Sequence, residues 1–98
     1  MSDAFAIEQG EVIQVLRAAA NALVGCDFST DMAKLGLRNL SKNVEDCNSS
    51  EIRRRLGFIA FSAPRCSRPT QERIVVALTT VSDFYERYSR EQRRFDFV

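Results

Sequence analysis

Three observations predict an all-α chain folded as a compact four-helix bundle. Apolar residues recur at i, i+3, i+4 and i+7 along most of the sequence. Ser, Asn and Asp sit where helix caps belong, and Gly or Pro punctuates the gaps between them. The last stretch, Ser67 to Arg94, keeps its helical spacing to Tyr88, although Ile74-Val75-Val76 and Thr79-Thr80-Val81 would also suit a strand. The expected helices are about 4–24, 30–46, 49–62 and 69–94.

Helix 4–24 is capped by Ser2 or Asp3 and buries Val12, Leu16, Ala19, Ala20 and Leu23, with Ile13 and Val15 at the edges. Gly25 suits a left-handed residue just past its end. Ser29, Thr30 or Asp31 then caps helix 30–46, whose stripe is Ala33, Leu37, Leu40, Val44 and Cys47. Gly36 either weakens that helix or permits a close crossing. Asn48 and Glu51 read as a capping box opening helix 49–62. Ile52 and Leu56 point inward there, and Leu56-Gly57-Phe58-Ile59-Ala60-Phe61 is apolar all round, so this part of the helix is expected to be enclosed on every side. Ala63-Pro64-Arg65-Cys66 breaks the chain. Ser67 caps helix 69–94, Pro69 fits its first turn, and Ile74, Ala77, Leu78, Val81, Phe84, Tyr85 and Tyr88 form the buried stripe.

The 98 residues are read as a single helical domain, 1–98, with a short apolar segment at 95–98. A net charge of +1 gives no global field for nucleic acid or membrane, yet five acids and one base fall before Ala33 while twelve of the fourteen bases are Arg. No apolar run approaches the ~20 residues of a membrane span. The three cysteines, Cys26, Cys47 and Cys66, are odd in number and form no CxxC pair. No secretory leader is seen, so reduced thiols and a cytoplasmic location are expected.

Little in the chain suggests catalysis. The sequence has no histidine, the commonest general base and metal ligand. The cysteine spacing does not match a zinc site. Asp27-x-Ser29-x-Asp31 opens like a calcium loop, but the sixth position is Met32 and the twelfth is Arg38, so helix capping explains it better. Glu8 and Glu11 read as a solvated face. No Gly-rich phosphate loop or nucleophile elbow is present. The expectation is a protein that is not an enzyme and takes no cofactor or metal.

The expected function is a small interaction module (a regulator, adaptor, chaperone-like binder or inhibitor) that occupies a partner's surface. Two surfaces are candidates. Leu56, Phe58, Ile59 and Phe61 are expected to form a homodimer interface, because a domain this small has little material to cover them. Tyr85, Arg87, Tyr88, Arg90, Arg93, Arg94, Phe95 and Phe97 are expected to meet another protein with an acidic surface. The alternative is a DNA-binding repressor of helix-turn-helix type, in which Ser49, Ser50, Arg53 and Arg54 begin the recognition helix. Against it, a near-neutral chain is a poor phosphate binder, and helix 49–62 is expected to leave no face free for a groove.

Overall fold

The structure, a computed structural model, describes residues 4–25 and 27–91. Four helices form a ring: α1 (Ala4–Ala22), α2 (Phe28–Glu45), α3 (Ser49–Ser62) and α4 (Arg68–Glu91), with a 3-10 turn at Ala63–Arg65. α1 lies between α2 and α4, and α3 closes the ring against α2 and α4. Leu16, Leu37, Leu40, Val44, Ile52, Ile59, Ile74 and Val81 are the large side chains wholly removed from water. They are the predicted stripes, with two additions. Phe5, one heptad before Val12, is also buried, and Ile59 joins the core from the middle of the apolar run.

The helix ends are set by local hydrogen bonds. α2 starts at Phe28, ahead of the expected position, because Asp27 is the cap: its carboxylate accepts Thr30 N–H and Thr30 Oγ1–H, each at 2.9 Å. Ser29, Thr30 and Asp31 therefore lie inside the helix. α1 stops at Ala22, short of residue 24, and Gly25 follows with φ 137°, a conformation a side chain would resist. The α2–α3 turn is a Schellman closure. Cys47 N–H donates to Val44 O at 3.1 Å and Asn48 N–H to Asn43 O at 3.0 Å, with Cys47 in the left-handed region at φ 53°. Gln9 of α1 supports the same helix end, its Nε2 giving Val44 O a further donor at 2.9 Å and also donating to Glu45 O at 3.2 Å.

Only half of the expected capping box forms. Glu51 N–H donates to Asn48 Oδ1 at 3.2 Å, but Asn48 N–H already donates to Asn43 O, and the Glu51 carboxylate holds Arg54 at 2.6 Å. α4 begins at Arg68, and the Ser67 hydroxyl donates to Thr70 Oγ1 at 3.1 Å. The expected end of that helix, beyond Glu91, falls outside the described residues.

Gly36 explains why α2 and α3 sit so close. A Cβ there would stand 2.8 Å from Cγ1 of the buried Ile59, so the bare backbone is what lets the two helices meet. This contact also fixes their direction. Gly36 lies eleven residues before Cys47 and Ile59 twelve after it. At about 1.5 Å rise per residue and a helix-turn-helix angle of about 90–120°, the two would be more than about 20 Å apart. Their contact makes α2 and α3 a side-by-side antiparallel hairpin.

Candidate docking surface

The enclosure expected for α3 does not occur. α2 and α4 cover one side of it and, among the described residues, no fifth element covers the other, so Gly57, Phe58, Ala60 and Phe61 face water while Ile59 alone of that group is fully buried. Ile59 therefore belongs to the core of the single chain and is not available to an interface, and Leu56 is half-buried beside it. Phe58 remains 42% exposed and Phe61 70%.

Phe58 and Phe61 are not alone. The first residue of α2, Phe28, is 79% exposed, and the antiparallel hairpin brings it to the end of α3. Phe28, Met32, Phe58, Phe61 and Arg65 line one groove of about 250 Å³. Helical spacing makes a stripe along α3 and its extension, Arg54, Phe58, Phe61 and Arg65. The Arg65 guanidinium stands 5.5 Å from the Phe61 ring centre, a cation–π contact. Asp27 and Asp31, both exposed, flank Phe28 on the α2 side. The groove thus has an apolar floor and a basic lining residue, Arg65, while Asp27 and Asp31 stand beside Phe28 outside its lining, the Asp27 carboxylate turned to Thr30. Thr30 backbone and hydroxyl donors, in that order of effect, hold the Asp27 carboxyl below its usual range. A larger, shallower groove between α1 and α4, lined by Ala18, Ala22 and Val76, offers smaller side chains and no aromatic ring.

Sequence reasoning found Phe58 and Phe61 but missed Phe28, Met32 and Arg65. The available signal was Phe28 itself, an aromatic residue placed between a cap and a polar first turn, where no buried stripe passes.

The second predicted surface is largely built into the fold. Tyr88 is buried, its ring packed edge-on to Phe5 at 5.0 Å and tilted against Phe84 at 5.2 Å. Its hydroxyl donates to the Glu8 carboxylate, which also holds Arg87. Tyr85 is half-buried, and its hydroxyl shares a 2.6 Å hydrogen bond with Ser49. Arg87 and Tyr88 thus tie α1 to α4, and Tyr85 ties α3 to α4. Arg93, Arg94, Phe95 and Phe97 lie outside the described residues, as does the side chain of Arg90.

The Tyr88 hydrogen bond is the main cause that lowers the Glu8 carboxyl from its ordinary 4.5, with Arg87 assisting and burial opposing. A lowered carboxyl contributes stability above its unfolded pKa, which is lost as pH falls through the folded value. Wild type therefore loses thermal stability below about pH 4.5. Glu8→Gln is expected to melt lower at pH 7 and to show a shallower acid decline, the remainder coming from Asp27. Melts at pH 7 and pH 3 check it; equal acid slopes would show that Glu8 is not the linked group.

The helix-turn-helix residues do not assemble as that reading requires. The α2–α3 pair is an antiparallel hairpin, Ser49 is buried against Tyr85, and Arg54 is held by Glu51. Ser50 and Arg53 are exposed. The expectation that α3 lacks a free face is also corrected, but the face it shows carries Phe58 and Phe61.

Among the described residues, no group of His, Cys, Asp or Glu side chains is placed to hold a metal ion. Cys66 is a free thiol, and burial, followed by the Asp27 charge, pushes its pKa up. No helix among the described residues is long and apolar enough to cross a membrane. No protein-family model matches the chain, and neither a curated protein nor a solved structure is significantly similar to it.

Proposed function

We infer that this is a non-catalytic protein-interaction module of the regulator, adaptor or inhibitor kind, and that it docks a partner's peptide segment in the Phe28–Phe61 groove. The observation that carries the reading is the company of Phe28, Phe58 and Phe61 in one groove, two of them at least 70% exposed, in a fold that buries Phe5 and Phe84. Covering a Phe releases roughly 1.5–3 kcal/mol. Covering these rings therefore supplies a useful gross term, part of which is cancelled by the entropy of association. The expected contact is of moderate, micromolar strength. The free Cys66 thiol fits a reducing, cytoplasmic setting.

The charges in and beside the groove favour protein over nucleic acid. Exposed Phe and Arg would also suit a single strand, since bases stack on rings and phosphates pair with guanidinium groups. Asp27 and Asp31 beside Phe28 oppose a polyanion, whereas a peptide needs only one acidic side chain to meet Arg65. The acidic partner expected from sequence narrows accordingly to a partner acidic where it meets α3.

A photoreactive phenylalanine analogue at position 61, expressed in the native host, tests this. The expected adducts are proteins, and they disappear when Phe58 is replaced by Asp. Adducts to RNA or DNA, or none above those from an exposed control at Glu86, would overturn the reading.

A further inference from the structure

The occupant of the groove can be named, on the reading above, from where the rest of the chain lies. The groove stands at the start of α4: Arg65 lines it, and Gln71 in the first turns of α4 donates to Cys66 O at 2.8 Å. Residues 92–98 follow the other end. Glu91 is 23 residues beyond Arg68, about 35 Å along the helix. Asp96 and Phe97 are five and six residues past Glu91, so at most about 18 and 22 Å of extended chain. The Ser49–Tyr85 hydrogen bond sets the shorter separation of Phe61 from the end of α4. Phe61 is twelve residues from Ser49 and Glu91 six from Tyr85 in the opposite direction, roughly 27 Å in all. Even with both side chains extended, Asp96 cannot reach Arg65 of its own chain, so that pair needs a second copy.

The chemistry nevertheless matches. Phe95-Asp96-Phe97 carries two aromatic rings for an aromatic floor and an acid for Arg65. We propose that residues 93–98 of one copy dock in the Phe28–Phe61 groove of a second copy, and that two copies exchange these segments about a two-fold axis. The exchange joins the two surfaces read separately from the sequence, Phe58 with Phe61 and Phe95 with Phe97, as the two halves of one contact. Packing groove on groove is the poorer use of a second copy. A two-fold axis across the α3 stripe sets Arg65 beside Arg54 of the other copy, on helices that each carry Arg53, Arg54 and Arg55 against the single acid Glu51. Exchange also makes each contact twice, as a closed symmetric dimer requires.

Sedimentation velocity on full-length chains decides it, using wild type, a groove variant (Phe61→Asp) and a segment variant (Phe95→Ser with Phe97→Ser). Wild type is expected to be a dimer at micromolar concentration. Each variant alone is expected to be monomeric, with its association weakened roughly thirtyfold or more. An equal mixture regains a dimer, held by one intact groove and one intact segment and weaker than wild type. Arg65→Glu serves as the groove variant if Phe61→Asp does not fold, and Asp96→Arg should restore part of its loss. A monomeric wild type, a segment variant that still dimerises, or a mixture that forms no complex would each overturn the exchange. Cross-links from position 61 to a different protein beside a monomeric wild type would leave the groove reading standing and remove only this occupant.

Discussion

Phe84→Ala is expected to lower the unfolding free energy by about 3–5 kcal/mol, while Phe61→Ala changes it by no more than about 0.5 kcal/mol. The residue type and the deletion are the same, and only the surroundings differ. Phe84 is 3% exposed, stacked on Phe5 with ring centres 5.4 Å apart, and packed against Tyr88. Removing it opens a cavity between the start of α1 and the end of α4, which the remaining rings cannot fill without leaving their rotamers. The Tyr88 ring, once unsupported, also loosens its hydroxyl from Glu8. Phe61 touches water over most of its surface and loses mainly its contact with Arg65. Chemical denaturation of both variants checks this. A large loss at Phe61 would mean that the ring is part of the fold and that the groove is not a free surface.

Gly36→Val is expected to destabilise by about 2–3 kcal/mol, a fall of roughly 10–20 °C in melting temperature. Helix propensity alone predicts a small gain, because glycine is the poorer helix former. Packing reverses the sign. The new Cβ would meet Ile59 Cγ1 at 2.8 Å and Cδ1 at 3.2 Å, and Ile59 is wholly buried with nowhere to turn. α3 must move away from α2, taking Phe58 and Phe61 with it, so the groove should loosen as well. Ile59→Ala alone costs about 2–5 kcal/mol. The double variant should lose less than the sum by about 1 kcal/mol or more, since the second change makes room for the first. Additive losses would show that the two residues do not press on each other.

The fold was legible because its signals are local. Leu16, Leu37, Val44, Ile74 and Val81 lie on their predicted faces because each helix carries its own spacing and needs only some core to face. Asn48 was legible as a cap for the same reason, and Asp27 was missed only because several capping residues stand in a row. The surface was harder. An apolar run such as Leu56–Phe61 shows that burial is wanted, but not whether its own chain supplies it. Here the chain covers Ile59 and leaves Phe58 and Phe61 open. Tyr85, Arg87 and Tyr88 misled in the opposite way. A tyrosine and an arginine look alike in sequence whether they meet a partner or, as here, Ser49 and Glu8 far along the same chain. Phe28 became meaningful only when the hairpin, made possible by Gly36, placed it opposite Phe61.

The central claim is that binding occurs at the groove between the start of α2 and the end of α3. Mapping concentration-dependent changes in the aromatic and methyl NMR signals of the full-length chain tests it most directly. The account predicts that Phe28, Met32, Phe58 and Phe61 shift and broaden together as the protein is concentrated, while Val15, Val75 and Val76 on the α1 and α4 faces stay fixed. Changes centred on Val75 and Val76, with the three phenylalanines unmoved, would contradict it.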